Sequence, residues 1–330
     1  MARLLATFLF ATSALAQSVT SITPSSGPVT GGTMVTIRGS GFSDSCSPAS
    51  CYTSFDYVPA LSVRFVDDNT VTAITPPHPP GSAMVFSAGR VTTFIYEGDP
   101  GEVFDAVLLP IFVPLTAGAN GSQFFTTFSI WSIAGPDMLV FGIGIGCHGA
   151  VDCFPEPNVL TTILRARQGS AERFLRPTGD PGAVIWMPKS SYEQIAASLR
   201  VADISRQQDS FGTRIPIVPG REFRSDIVVL LDVPVTARFR DMLRVYSLDA
   251  QTSVRVRVIR SDSTRIDQEF DLDLRDPADV YHPAYAQFSQ FTTEDNVRIE
   301  IEPLTTGKRI WAFVSVTNNE TQQITVIAPR

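Results

Sequence analysis

The sequence predicts an all-β protein, in which an N-terminal β-sandwich is followed by one large or two smaller antiparallel β-sandwich domains. Apolar and polar residues alternate with a period of two along much of the chain. The 22 glycines and 24 prolines supply many turns and disfavour long helices. An apolar fraction of 44% beside 18% charged residues is typical of a packed globular protein. The length of 330 residues predicts two or three domains.

The charge balance bears on the class of partner. The formal net charge is −7 and the isoelectric point is near 5.0. Affinity for phosphate backbones comes from clustered lysines and arginines, and the sequence contains no basic stripe. We therefore expect no nucleic acid among the partners.

The N-terminus has the pattern of a signal peptide over residues 1–16. Arg3 supplies the positive charge, Leu4 to Ala11 form a short apolar stretch, and Ala14-Leu15-Ala16 is a small-x-small cleavage pattern. No later run of 18 or more apolar residues follows. We expect an exported protein, extracellular, on the cell surface or periplasmic, without a transmembrane segment in the mature chain.

The four cysteines form two close pairs, as expected for export to an oxidising compartment. The spacing predicts disulfides between Cys46 and Cys51 and between Cys147 and Cys153. A shared metal site is the alternative, with His148 beside Cys147, but the spacings differ from those of zinc knuckles. The sequence predicts no metal and no cofactor.

Residues 18–97 contain six or seven short predicted strands separated by turn residues. Val35 and Ile37 share one face of a strand, and Leu61, Val63 and Phe65 alternate with polar residues. Met84 and Phe86 alternate in the same way before Val91 to Tyr96 closes the unit. This density of strands in about 80 residues predicts a small sandwich.

Several motifs of this segment occur in a fixed order: Ile22-Thr23-Pro24, Ser26-Gly27-Pro28, Gly31-Gly32-Thr33, Val35-Thr36-Ile37, Gly39-Ser40-Gly41-Phe42, Thr75-Pro76-Pro77 and Phe94-Ile95-Tyr96. In this order they resemble the IPT/TIG family of immunoglobulin-like domains, over about a quarter of the chain. The resemblance implies a fold but not a single function, since such domains occur in cell-surface receptors, DNA-binding regulators and secreted carbohydrate enzymes. The segment Ser43 to Tyr57, which carries Cys46 and Cys51, is longer than in simpler members; it is either a binding loop or an idle one.

The rest of the chain is divided by its turn residues. Residues 98–102 form a predicted linker, and residues 103–218 and 219–330 are predicted to be two further sandwiches, with a single large domain as the alternative. One helix is predicted, because Ser190 and Glu193 match a capping box before an apolar face of Ile195, Ala196 and Leu199.

A β-hairpin is predicted near the C-terminus. Val254, Val256 and Val258 alternate with arginines, and Phe270, Leu272 and Leu274 alternate with acids. In a hairpin Asp271 and Asp273 would lie opposite Arg255 and Arg257 and form cross-strand ion pairs with them. The alternative is a calcium loop of Asp271, Asp273, Asp276 and Asp279, which lacks the glycine that such a loop needs.

No catalytic residues are predicted. Three histidines could act as general bases: His78, His148 and His282. The sequence identifies no partner residue for any of them. It contains neither a nucleophile elbow nor a metalloprotease helix. The best candidate binding site is an aromatic cluster of Tyr281, Tyr285, Phe288 and Phe291, with core packing as the alternative.

These features favour an exported, non-catalytic binding or scaffolding protein that acts through adhesive protein–protein contacts. The alternative is an accessory module that binds carbohydrate at the cell wall or matrix. A secreted hydrolase with an unrecognised carboxylate site ranks third. The expected partner is an extracellular protein or a polysaccharide.

Overall fold

The protein is described here from a computed structural model. The described residues are 18–48, 50–113, 115–133, 138–145, 160–164, 182–189, 191–205, 211–247, 249, 252–260, 264–274, 284–286 and 296–329.

The chain forms two compact units, residues Met1–Asp99 and Pro100–Arg330. In the described ranges all extended secondary structure is β-strand, and helical elements are single 3-10 turns: Phe42–Asp44, Pro100–Glu102, Ala119–Gly121, Tyr192–Gln194 and Gly220–Glu222. The prediction of an all-β fold is confirmed.

The first unit contains nine strands: β1 (Val19–Thr23), β2 (Ser26–Pro28), β3 (Met34–Gly39), β4 (Thr53–Phe55), β5 (Val58–Pro59), β6 (Ser62–Asp67), β7 (Thr70–Ile74), β8 (Gly81–Ser87) and β9 (Arg90–Glu97). They form two sheets, with strand orders β1-β3-β7-β6 and β2-β9-β8-β4-β5. All pairings are antiparallel except β2 with β9. Val35 and Ile37 of the first sheet are fully buried, as are Phe55, Val85 and Phe94 of the second, so the two sheets enclose a core.

The described residues of the first half of the second unit also contain nine strands: β10 (Phe104–Leu109), β11 (Thr116–Ala117), β12 (Gln123–Ser132), β13 (Met138–Ile145), β14 (Leu160–Leu164), β15 (Gly182–Pro188), β16 (Ile195–Asp203), β17 (Thr213–Arg214) and β18 (Val218–Pro219). Their sheets have the orders β14-β13-β15-β10-β18 and β11-β12-β16-β17.

In the second half, the part that the structure describes contains eight strands: β19 (Val228–Pro234), β20 (Phe239–Ser247), β21 (Thr252–Arg260), β22 (Ile266–Leu274), β23 (Ala284–Ala286), β24 (Asn296–Pro303), β25 (Ile310–Asn318) and β26 (Ile324–Ile327). The sheets β19-β24-β21-β22 and β23-β20-β25-β26 share one hydrophobic core. Val256 and Ile299 enter this core from the first of these sheets, and Leu243 and Val314 enter it from the second.

The predicted helix is wrong. Only Tyr192–Gln194 forms a helical turn, and Ile195–Asp203 is strand β16. This strand pairs with β12 at nine positions, from Phe124 opposite Asp203 to Ser132 opposite Ile195. The same stretch has an apolar set at period two that includes Leu199 and Val201, both buried, and burial in a sheet outweighs a capping box of a short helix.

The predicted C-terminal hairpin is confirmed, but its register differs from the prediction, because Asp273 lies opposite Ser253 and not opposite an arginine. Arg255 lies opposite Asp271 and Arg257 opposite Glu269 in the pairing of β21 with β22. The Arg255 Nε atom is 2.9 Å from Asp271 Oδ1, and the Arg257 Nε atom is 2.8 Å from Glu269 Oε2. Asp276 and Asp279, which the calcium alternative also needs, lie outside the described residues.

No described sheet of the second unit combines strands from both sides of the predicted boundary near Pro219. The two halves are nevertheless joined by side-chain hydrogen bonds. The Tyr246 hydroxyl donates to the carbonyl of Pro110, and the Thr213 hydroxyl donates to the carbonyl of Ile324. The division of this unit into two domains stays a prediction.

Candidate interaction surface

A tight turn in the first unit carries its most exposed aromatic side chain. Asp56 and Tyr57 connect β4 to β5 and have φ angles of 44° and 67°, both in the left-handed region. Positive φ at both central residues is typical of the two-residue hairpin turn whose twist matches the strands. The turn leaves 71% of Tyr57 exposed. Because left-handed φ is unfavourable for residues other than glycine, the turn needs other interactions to hold it.

The Asp56 carboxylate provides such interactions. Its Oδ1 atom accepts the backbone N–H of Met84 at 2.7 Å, and its Oδ2 atom is 3.2 Å from His78 Nε2. His78 is fully buried, its ring is stacked on Tyr96 at 4.7 Å, and its Nδ1 atom is 2.8 Å from the carbonyl of Pro79. The predicted general-base candidate His78 thus has an acidic partner. Because its ring is sealed from solvent, this pair orients the turn and cannot reach a substrate.

Beside the turn, the outer side of the sheet β2-β9-β8-β4-β5 carries several exposed apolar side chains, together with the exposed Thr93 and Glu97 of β9. We use the term apolar face for the side chains of Tyr57, Met84, Phe86, Val91 and Ile95. The rings of Tyr57 and Phe86 lie 5.2 Å apart, and Phe86 is directly opposite Val91 in the register of β8 and β9. Met84, Val91 and Ile95 are 39%, 52% and 47% exposed.

The other sheet of the same unit has a different outer side. Thr36 and Thr72 face each other across β3 and β7, and Arg64 lies opposite Thr72 on β6. A solvated outer side of an antiparallel sheet usually alternates to polar residues in this way. The apolar face departs from that pattern, and none of its five side chains carries a charge. Contiguous exposed apolar residues of this kind mark interaction sites.

The inserted loop Ser43 to Tyr57 is held by a disulfide and by hydrogen bonds at its start. Cys46 and Cys51 form the predicted disulfide, with a Cα–Cα distance of 4.4 Å. Asp68 accepts hydrogen bonds from the Ser43 hydroxyl and from the backbone amides of Ser43 and Gly41, and these bonds hold the pKa of Asp68 below its usual value. These contacts hold the described part of the loop, in which Tyr52 is exposed.

The other predicted sites fall mostly outside the described residues. Cys147 and Cys153 both do, so the second disulfide stays a prediction. So do Tyr281, Phe288 and Phe291, together with His148 and His282. Of the aromatic cluster, Tyr285 alone is placed, in β23 opposite Arg244 of β20.

The described ranges contain no group of three or more His, Cys, Asp or Glu side chains arranged to hold a metal ion. In these same ranges no helix combines the length and the hydropathy needed to span a membrane.

The sequence did not identify the apolar face. In β8, both alternating sets are apolar, since Ala83 and Val85 are buried while Met84 and Phe86 face outward. The alternation shows that a strand is present, but the side that faces the core depends on the neighbouring strands. The one available signal was the apolar character of both sets, which is unusual for a sheet with one solvated side.

Comparison with protein families supports an immunoglobulin-like fold for the first unit. Residues 18–94 match the family model of the IPT/TIG domain. Comparison with curated proteins identifies no relative of the chain. Residues 18–94 therefore form an IPT/TIG domain, an immunoglobulin-like module of the protein-interaction type.

Proposed function

We propose that this chain is an exported, non-catalytic binding or scaffolding protein, and that the apolar face of its IPT/TIG domain makes its adhesive protein–protein contacts. The observation that carries the proposal is the exposure of Tyr57, Val91 and Ile95 on the outer side of one sheet. Removal of such area from water is favourable by roughly 25 cal/mol per Å². Exposed aromatic side chains supply the large, rigid contacts on which interfaces depend.

The chemistry of the face defines the partner. A partner that presents charged groups to the apolar face would lose their hydration without gaining an ion pair, since the face offers none. We therefore infer an extracellular protein whose contacting surface is itself apolar. The hydrogen bond from the Met84 N–H to Asp56 holds the turn that carries Tyr57, and the buried His78 ring lies 3.2 Å from the same carboxylate, so the face is preorganised and less entropy is lost on binding.

The test measures competition between labelled wild-type chain and unlabelled variants for the surface of intact cells of the source organism. Phe86→Glu places a charge in the apolar face, and Thr36→Glu is the matched control on the outer side of the other sheet. Both variants should keep the wild-type melting temperature within a few degrees. We expect Phe86→Glu to compete at least tenfold more weakly and Thr36→Glu to compete like wild type; equal competition by both variants would refute the role of this face.

Export is tested separately. Mass spectrometry of the chain outside the cytoplasm should find Gln17 as the first residue, because cleavage is expected after Ala16. A chain that stays in the cytoplasm with residues 1–16 intact would remove the extracellular part of the proposal.

A second candidate function, binding of carbohydrate, is favoured by the outer side of β12. Phe125 and Trp131 are 40% and 48% exposed there, and each lies opposite an alanine of β16, Ala202 and Ala196. Six residues of strand separate the two rings by about 20 Å. Flat apolar rings beside small side chains give a platform that suits the apolar side of a sugar ring.

A glycan array distinguishes the two functions. Strong signals that are lost on Trp131→Ala or Tyr285→Ala, but kept on Phe86→Glu, would favour the carbohydrate function. An array without signal would leave the protein–protein function as the better supported of the two.

A further inference from the structure

The second unit contains a cleft of about 510 Å³. Its lining residues come from strands β20, β25 and β26, from Val201 of β16, and from the described residues between Ile111 and Phe124. Much of the lining is apolar: Ile111, Val113, Phe124, Val201, Met242 and Ile324. Cavities of this size, apolar with a few convergent polar groups, are the usual form of small-molecule sites.

The polar group that distinguishes this cleft is the guanidinium of Arg240. Its Nη1 atom donates to Asn319 Oδ1 at 2.8 Å, and its Nη2 atom donates to Gln322 Oε1 at 2.9 Å. Both acceptors are neutral amide oxygens, and Arg240 forms no ion pair with any carboxylate of the described residues. Arg244 lines the same cleft and donates to the Ser315 hydroxyl at 2.8 Å.

The acid next to Arg240 does not neutralise it. Asp241 is adjacent in β20 and also lines the cleft, but strand alternation places its side chain on the side of Leu243 and Val245, opposite to that of Arg240. Asp241 makes no ion pair in the part of the chain that the structure describes.

The turn after β25 holds the two amide oxygens in place. Gln322 is fully buried and has a φ of 58°, and its Nε2 atom donates to the carbonyl of Asn319 at 2.6 Å. The Asn319 Nδ2 atom donates to the carbonyl of Ala237 at 2.9 Å. Each amide group therefore has its donor engaged elsewhere and its oxygen directed to Arg240. This network fixes the guanidinium without supplying a negative charge, which is preorganisation for an anion.

Other arginines of the same unit are arranged differently. Arg255, Arg257 and Arg260 each contact a carboxylate oxygen at 2.8 to 3.0 Å. A partly buried guanidinium without a counter-charge destabilises the folded state. An arrangement that keeps one therefore indicates a site for an anionic ligand. Arg240 uses two of its five N–H donors in the described contacts, and its planar fork matches the geometry of a carboxylate.

We infer that this cleft binds a small organic carboxylate, whose anionic group contacts Arg240 and whose apolar body packs against Phe124, Val201 and Met242. The site is separate from the apolar face and does not depend on the proposed function.

The experiment is calorimetric titration of the full chain with benzoate and hexanoate, with benzyl alcohol and hexanol as neutral counterparts. Arg240→Met removes the guanidinium. Asn319→Asp keeps it but places a carboxylate oxygen where the amide oxygen lies. Arg64→Met, an exposed arginine of the first unit, is the matched control.

We expect at least one carboxylate to bind wild type and Arg64→Met equally, to bind Arg240→Met and Asn319→Asp at least tenfold more weakly, and neither alcohol to bind. Melting curves establish that each variant is folded, and Asn319→Asp serves if Arg240→Met is not. The inference is wrong if neither carboxylate binds wild type, if the alcohols bind as well as the acids, or if the folded variants bind like wild type.

Discussion

The outer side of the sheet β2-β9-β8-β4-β5 and the outer side of the sheet β19-β24-β21-β22 have opposite chemistry. The first is the apolar face, in which Val91 and Ile95 are about half exposed. The second is a charged face, in which Arg257 contacts both Glu269 and Glu302 at 2.8 Å and Arg255 contacts Asp271 at 2.9 Å. Both sheets are antiparallel apart from the pairing of β2 with β9, and each buries its other side in a core.

The difference between the two faces lies in whether their groups are satisfied within the protein. On the charged face each positive group already has a negative partner, so a ligand would have to replace contacts that exist. On the apolar face the exposed area gains free energy only when something covers it. Dense side-chain pairing is therefore evidence of a self-sufficient surface, and exposed apolar area is evidence of an interaction.

The largest effect is expected on stability, in a comparison of the core side of the sheet β2-β9-β8-β4-β5 with its outer side. Phe55 is fully buried, with edge contacts to Phe94 at 5.7 Å and to Tyr96 at 6.2 Å. We expect Phe55→Ala to lower the free energy of unfolding by about 3 to 5 kcal/mol, since it creates a cavity. Val91→Ala on the apolar face is the control and should cost under about 1 kcal/mol. Denaturant titration measures both, and equal costs would mean that the two sides are assigned wrongly.

The disulfide tests whether the inserted loop contributes to the surface. Replacing Cys46 and Cys51 together with serine should cost about 2 kcal/mol, because the bridge closes a short loop in the unfolded chain. Cell-surface binding should be unchanged if the apolar face acts alone. A loss of binding in a variant that is folded at the assay temperature would instead make the loop part of the site.

Two carboxyl groups of the second unit should respond to pH with opposite sign. Arg255 holds the pKa of Asp271 below its usual value, whereas burial raises the pKa of Asp241 to about 7. Between its ordinary pKa of 3.8 and about 7, the folded state carries more proton on Asp241 than the unfolded state does. This contribution to stability is therefore present at low pH and is lost as the pH rises through that window.

The variant Asp241→Asn isolates this contribution. The free energy of unfolding of wild type, minus that of the variant, should fall by about 1 to 2 kcal/mol between pH 4 and pH 7. This value allows for solvent screening, since the carboxyl is partly exposed. Urea denaturation at a series of pH values measures it. A difference that is flat with pH, or that rises, would contradict the raised pKa of Asp241.

The smallest effect is expected on the charged face. Arg257→Met removes both ion pairs of that arginine, yet exposed pairs contribute little, so its melting temperature should fall by less than about half the fall of the double-serine variant. The fall should also shrink at 1 M NaCl, where about 3 Å suffices to screen such charges. A larger, salt-independent fall would show that the charged face is held by packing.

The sequence predicted the hairpin of the charged face and missed the apolar face, and the reason is physical. In β21 and β22 one alternating set is apolar and the other is mostly charged, so the hairpin, its buried side and the presence of ion pairs follow from composition. The register does not, since acids at 269, 271 and 273 offer several alignments, and the structure places Glu269 rather than Asp273 opposite an arginine. In β8 both sets are apolar, so the exposed one cannot be identified without the rest of the sheet. The turn at Asp56 and Tyr57 was equally hidden, because its left-handed backbone depends on His78, a residue distant in sequence.

The wrongly predicted helix has a related cause. The segment from Ile195 fits both a helical pattern of apolar residues and an extended one. Pairing with β12 at nine positions stabilises the extended form. The cleft at Arg240 was beyond sequence reasoning, since it joins residues of β20 to a turn some 80 positions later.

The most direct test of the central claim is site-specific photo-crosslinking of the two faces. A photoreactive amino acid is placed at position 93, beside the apolar face and opposite Met84. In a second variant it is placed at position 253, on the charged face and opposite Asp273. After exposure to intact cells of the source organism, we predict protein adducts from position 93 that excess wild-type chain abolishes, and none from position 253. Adducts from position 253 alone, or equal adducts from both positions, would contradict the account.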